Sequence, residues 1–481
     1  MKKDSLKMLP RFAIIILTLM LLTACQLLGT NLKGHISSQS TLTLWSFFPN
    51  KDIEVLIRNY EAVHPEVKII HTGYSFSSLS SAFKERAKQG LGPDAVIVTE
   101  RDLPALIEAD LATNLDAYNF ELDTENISES AMSPLKGLDG NLYGVPIAFQ
   151  TMALCYNKTK VESPPKNFQD WLAQGKNGAG IALEAGFLKS MWGIGALGAP
   201  FSVSANKLGL KESSLVQWLT WLKEAKKIPN VYIDHRPEVL YNLFANGSIA
   251  YFPCWTFEFV PLKEELKSDL AVAPLPKAAD GQPSPYLETD VVVINAYATK
   301  EKKQLAFNFA QFLTQPDQQL ALISGKEHTI APINTKTLVD ERLLPIIHAF
   351  ASNISTAVPF PISETYRLDR LRFYGDSLYR QVLQGDTVPT VGVKKFMKLI
   401  RNPPDDEEIV VSTSAASDEV QEVVLVDVKP DTNYLVNLFK TGIGLLLRRA
   451  LLLQIITFGV VLSIAWMIAQ FINKWLKKVT R

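Results

Sequence analysis

The sequence predicts an α/β fold, divided by a long extended run near residue 150 and closed by an apolar helix at its C-terminal end. Three observations carry that prediction. Residues 41–98 read strand, helix, strand, helix, strand, the rhythm of an α/β layer. Residues 139–158, DGNLYGVPIAFQTMALCYNK, are extended and apolar, and their β-branched, aromatic and proline content opposes a helix. Residues 450–472 are apolar almost throughout, long enough to cross a bilayer.

The elements follow in order. Thr41 to Leu44 alternate, and Trp45, Phe47 and Phe48 close the first strand. Ile53, Leu56, Ile57, Tyr60 and Val63 are spaced for one helical face, which His64-Pro65 ends. VKIIHTGY is a second strand and residues 77–89 a second helix. Gly92-Pro93 turns the chain into residues 95–98, a strand apolar on both faces, as in a covered parallel sheet. The run at 139–158 is long enough to pass from one compact lobe to another. Beyond it, Pro164-Pro165 gives a turn and NFQDWLAQG a short helix capped by Asn167. Residues 215–227 form an amphipathic helix, with Trp218 and Trp221 as helix packing. SIAYFPCWTFEF, DLAVAPLP and PYLETDVVVINAYA read as strands, and residues 300–313, 316–323 and 368–384 as helices.

The two ends point to export and anchoring. Lys2, Lys3, Lys7 and Arg11 precede an apolar stretch at 12–22 that is too short to span a membrane but suits a secretory signal. Leu22-Thr23-Ala24-Cys25 resembles the bacterial lipoprotein box, which implies a signal peptide over 1–24 and lipidation of Cys25, followed by a polar leader at 25–40. Residues 401–449 read as an acidic, Ser-rich linker, 450–472 as a transmembrane helix and 473–481 as a cytoplasmic tail. Lys474, Lys477, Lys478 and Arg481 set that orientation. The body is thus expected at the cell membrane, periplasmic or on the outer face.

Composition excludes several classes. The 481 residues carry 49 basic and 49 acidic side chains, so no polyanion footprint exists and nucleic acid is not an expected partner. The six histidines form no HxxH or HxxxH pair, and no CxxC occurs, so no metal or cofactor is expected. There is no GxSxG and no P-loop, and Asp234 and Glu238 sit in a solvated stretch, so the chain does not read as an enzyme. With Cys25 lipidated, Cys155 and Cys254 remain, either paired or as two buried thiols. The reading favours thiols.

The order of TLTLWSFF, GPDAVIV, LYGVPIAFQTMALCYNK, NGSIAYFPCWTFEF and GQPSPYLETDVVVINA resembles the extracytoplasmic solute-binding proteins of family 1, the maltose-binding type, over residues 41–400. The resemblance implies a two-lobed periplasmic-binding-protein type II fold with hinge strands. It puts 41–148 with 291–338 in the N-terminal lobe and 149–288 with 339–400 in the C-terminal lobe, with crossings near 148–150, 288–290 and 335–340. It implies a monomer that captures a small solute, a mono- or oligosaccharide, and presents it to the permease subunits of an ABC importer. A tethered sensor with a separate membrane partner is the alternative, and an enzyme on the same fold a remote third.

Carried over position by position, the resemblance implies a ligand site of Trp45, Ser46, Phe47, Glu100, Arg101, Gln150, Phe187, Trp192, Trp255, Phe257, Glu288, Asp290 and Tyr366. Arg101-Asp102 stands in reversed order to the prototype's Asp-Arg pair, so ligand identity does not carry over. The residue types suit a neutral polyol. Aromatic faces cover the C–H face of a sugar ring, and carboxylates, amides and Arg bind its hydroxyl rim. Core packing is the competing role for Trp192, Trp255 and Phe257.

Overall fold

The computed structural model describes residues 40–401 apart from 200, 205–206, 280 and 362–364. The side chains of 204, 207–208 and 365–367 are outside the description as well. Cys25, the signal segment, the linker and residues 450–472 all lie outside it. Among the described residues, no helix is long and apolar enough to cross a membrane.

Twelve strands occur among the described residues. They are β1 (Ser40–Ser46), β2 (Val67–Gly73), β3 (Ala95–Thr99), β4 (Val145–Gln150), β5 (Met152–Asn157), β6 (Ile181–Glu184), β7 (Val203–Ser204), β8 (Lys207–Leu208), β9 (Val231–Asp234), β10 (Tyr251–Trp255), β11 (Leu270–Ala273) and β12 (Glu288–Ile294). Two five-stranded sheets result, in the orders β2-β1-β3-β12-β4 and β11-β5-β10-β6-β9, with β7-β8 a separate ribbon. Each large sheet has its own apolar core.

The first sheet is mixed, which corrects the expectation of a parallel one. β1 runs parallel to β2 and β3, but β12 enters antiparallel between β3 and β4. β3 is buried on both faces and lies in mid-sheet between β1 and β12. The helix Asn50–Val63 covers this sheet with Ile53, Leu56, Ile57 and Tyr60 buried. Val63, expected on the same face, is 61% exposed. Ten residues beyond Ile53, a helix of 3.6 residues per turn has rotated it about 80° off that face.

The extended run near residue 150 is two strands, not one. β4 belongs to the first sheet and β5 to the second, and Thr151 alone separates them. In the second sheet β5 pairs antiparallel with β10 and β11, while β6 runs parallel to β10 and β9. The strand expected through Phe259 stops at Trp255, where a helix Thr256–Leu266 begins. Glu258 accepts the Trp255 backbone N–H at 2.7 Å and so fixes that helix start. Asn167 caps the helix Phe168–Gln174 by accepting the N–H of Asp170 at 2.9 Å.

Cys155 and Cys254 are joined by a disulfide, which corrects the preference for free thiols. Cys155 on β5 faces Phe252, and Cys254 on β10 faces Ala153, so the two sulfurs meet diagonally across an antiparallel pair, with Cα atoms 5.7 Å apart. That separation lies in the range a disulfide requires. The bridge spans 99 residues of sequence.

The core of the second sheet is built around an aromatic block. Trp192 stacks on Phe168 at 5.8 Å and meets Trp218 at 5.5 Å, while Trp218 stacks on Trp221 at 5.1 Å. Gly193 permits this contact, since a Cβ there would stand 2.4 Å from the Trp218 ring.

Candidate functional site

The junction of the two sheets gathers charge. β3 ends at Thr99, and the next turn carries Glu100 and Arg101. β12 begins beside the end of β4, with Glu288 opposite Gln150 and Asp290 opposite Ala148. Glu100 accepts from the Tyr286 hydroxyl at 2.6 Å and from the Thr289 backbone N–H at 2.7 Å. Arg101 Nη2 lies 2.7 Å from Glu288 Oε2. Gln150 Nε2 donates to both oxygens of Asp290, at 2.9 and 3.1 Å.

Glu100, Gln150, Glu288 and Asp290 are all buried. Burial, and then the Glu288 charge, pushes the Glu100 carboxyl up to about 8, against the pull of its two hydrogen bonds. Burial also raises Glu288 above the usual carboxylate range despite Arg101. Asp290 is pushed well above it by burial and by Glu288, with Gln150 opposing.

A cavity of about 170 Å³ opens beside this cluster. Arg101, Tyr286 and Glu288 line it from the junction, and Trp255 and Phe257 from the end of β10 and the helix after it. Glu184, Lys189, Arg372 and Asp376 also line it. The Trp255 and Phe257 rings are stacked, with centroids 5.5 Å apart and planes at 18°. Tyr286 meets Trp255 edge-on at 6.0 Å. Two of the three cations of this wall have a carboxylate in ion-pair range: Arg101 has Glu288, and Lys189 Nζ is 3.6 Å from Glu184 Oε2.

Four of the residues singled out by sequence therefore line one cavity: Arg101, Trp255, Phe257 and Glu288. Glu100, Gln150 and Asp290 lie in the polar cluster beside it. The others are placed elsewhere. Trp45 packs against Tyr74, with centroids 4.6 Å apart and planes tilted by 36°, under the Arg86 guanidinium. The Ser46 hydroxyl is shared with His71 Nε2 at 2.7 Å, and Phe47 packs edge-on against Phe48 and Phe76. Phe187 is fully buried among Phe201, Tyr379 and Phe396, and Trp192 is in the aromatic block, so neither reaches the cavity. Tyr366 belongs to the helix Thr365–Gln384, and its side chain is outside the description.

Sequence reasoning missed Glu184, Lys189, Tyr286, Arg372 and Asp376. Tyr286 had a signal, because it precedes Glu288 and Asp290 at a spacing of two and so shares their strand face. Asp376 had none; it accepts the Phe187 N–H at 2.7 Å from a helix 189 residues away.

Comparison with known proteins agrees with this architecture. A family model described as bacterial extracellular solute-binding protein matches residues 56–340. A maltotriose-binding protein of Pyrococcus abyssi is 25% identical over 348 residues, 67% of this chain and 73% of that protein. Among solved structures, a maltose-binding periplasmic protein of Listeria monocytogenes in complex with maltose superposes with a TM-score of 0.63 at 18% identity, covering 76% of this chain and 97% of its own. A cyclo/maltodextrin-binding protein complexed with maltotetraose gives 0.62 at 18% identity, covering 77% and 97%. At such identity these structures speak for the fold alone, a two-lobed α/β architecture with mixed sheets. The relatives are binding proteins, not enzymes. With the family model matching more than half of its length, the chain belongs to the bacterial extracellular solute-binding protein family.

Proposed function

We propose that this chain captures a neutral, hydroxyl-rich solute of the mono- or oligosaccharide class between its lobes and hands it to the permease of an ABC transporter. The observation that carries the reading is the cavity wall: a stacked Trp255–Phe257 pair beside Arg101 and Lys189, each of which already has a carboxylate partner. A ring with an apolar face and a rim of hydroxyls matches both features. The names of relatives that bind maltose and maltotriose support the class. In this reading Arg101, Trp255, Phe257 and Glu288 touch the solute, and Glu100, Gln150 and Asp290 shape the hinge.

The lobes are residues 41–148 with 291–338 and residues 149–288 with 339–400. The single residue between β4 and β5, and the start of β12 beside Gln150, support two of the crossings. The third falls at 335–340, between the Phe149–Ala331 bridge and the helix Pro345–Ala351, whose Phe350 packs in a second-lobe core. Solute touching both lobes favours the closed form, which the permease reads. Lipidation at Cys25 and a span at 450–472 hold the body at the membrane, and the Cys155–Cys254 disulfide agrees with an oxidising compartment.

A thermal-shift screen of the full-length chain against mono- and oligosaccharides, maltotriose included, tests the reading. At least one sugar raises the midpoint, and Trp255→Ala abolishes that rise. A panel that leaves the midpoint unmoved ends the carbohydrate assignment. Co-purification with permease subunits tests delivery.

A further inference from the structure

We propose that Lys189 is a displaceable cover on the aromatic wall of the cavity, whose ammonium a solute must evict before it can stack on Trp255 and Phe257. This rests on the reading of the cavity as the solute site. Lys189 Nζ stands 5.5 Å from the centroid of Trp255 and 5.8 Å from that of Phe257. Both distances are within the reach of attraction between a cation and a ring face. One ammonium thus reaches both rings, and Glu184 Oε2 holds the same nitrogen at 3.6 Å. An ammonium and the apolar face of a sugar cannot occupy one ring surface together.

The cover is built within one lobe. Glu184 ends β6, and Lys189 lies in the short helix Phe187–Ser190 just after it, so the arrangement needs nothing from the other sheet. Lysine suits a part that must move. Its stem is flexible, and a partly exposed ion pair holds it weakly. A second observation points to a visitor at this surface. Trp255 is only 4% exposed, and its indole N–H, like those of Trp171 and Trp192, has no hydrogen-bond partner among the described residues; of the three, Trp255 is the one that lines the cavity. Buried indole N–H groups normally have one. A hydroxyl of a solute seated at the ring supplies the missing acceptor.

The test measures maltotriose binding by calorimetry for the full-length wild type, Lys189→Ala and Lys189→Arg at low and high salt. Acrylamide quenching of tryptophan fluorescence is measured alongside, without sugar, with Trp255→Phe as the reference that isolates the Trp255 signal. Lys189→Ala is expected to bind roughly three- to tenfold tighter, the scale of one cation–ring contact. Its Trp255 becomes more accessible to acrylamide. Salt tightens binding in the wild type and in Lys189→Arg, which keep the cover, but not in Lys189→Ala. Equal or weaker binding by Lys189→Ala overturns the cover, weaker binding making Lys189 a direct contact instead; so does unchanged quenching. If neither maltotriose nor any other sugar of the panel binds any of the proteins while Lys189→Ala still exposes Trp255, the cover stands and the sugar reading falls.

Discussion

Two arginine–carboxylate pairs in this chain share their chemistry and differ in outcome. In the turn after β9, Arg236 donates to Asp234 through Nε at 3.1 Å and Nη2 at 2.8 Å. That hydrogen bonding, with water close by, holds the Asp234 carboxyl down to about 2. At the junction of the sheets, Arg101 approaches Glu288 to 2.7 Å, yet burial raises Glu288, and its neighbour Glu100 reaches about 8. Asp52 shows that burial alone does not decide. It is buried too, and burial pulls it upward. However, it accepts from His328 Nδ1 at 2.6 Å and from the backbone N–H groups of Lys326, Glu327 and His328 at 3.0–3.1 Å, and these hold it below its ordinary value. A buried carboxylate stays charged when enough donors meet it. Glu100, Glu288 and Asp290 share one arginine and few other donors, so burial raises all three.

The largest effect expected from this contrast follows Arg101→Met. It leaves Glu288 buried without its cation, at a cost of about 3 kcal/mol near pH 8. The cost shrinks near pH 6, where Glu288 more readily takes a proton. Urea unfolding at the two pH values checks it, and a loss independent of pH would break the comparison. Next comes Asp52→Ala, which removes the acceptor that ties residues 326–328 to the helix Asn50–Val63, at a cost of about 2 kcal/mol. Asp52 is lowered in the fold, so its contribution is present above its unfolded value of 3.8 and is lost as pH falls below that. The mutant should therefore converge on the wild type in acid.

The pH profile of the wild type sharpens the comparison further. Glu100 titrates near 4.5 when unfolded and near 8 when folded. Between those values the folded chain holds a proton that the unfolded chain has released, so stability falls as pH rises from about 4.5 to about 8. Melting temperatures across that range should decline, and Glu100→Gln should flatten the decline. A wild type with constant melting temperature from pH 5 to 8 would mean that the junction carboxylates are solvated after all.

How much of this was legible in the sequence depends on range. The helices at 300–313 and 316–323 and the Asn167 cap could be read directly, because periodicity and capping are local. The β5–β10 register was not legible. It is a pairing across about a hundred residues, and with it went the Cys155–Cys254 bond. The aromatics after strand ends were ambiguous for a similar reason. Trp255 and Trp192 look alike in sequence, and only tertiary packing turns one to the cavity and the other into the block around Phe168. Arg101 and Glu288 were singled out through the resemblance, but their contact was not, since β12 had first to insert antiparallel beside β3.

The smallest effect expected is also the sharpest control. Arg236→Ala removes the same kind of partner from Asp234 that Arg101→Met removes from Glu288. Here the carboxylate keeps water, the arginine side chain is more than half exposed, and the pair lies within one turn of chain. Exposed pairs of this kind contribute about 0.2–1 kcal/mol, less in salt. Urea unfolding in 0.5 M salt should therefore barely separate Arg236→Ala from the wild type, while Arg101→Met remains well below both. If the two substitutions cost the same, hydrogen-bond geometry and not access to water sets the worth of these pairs.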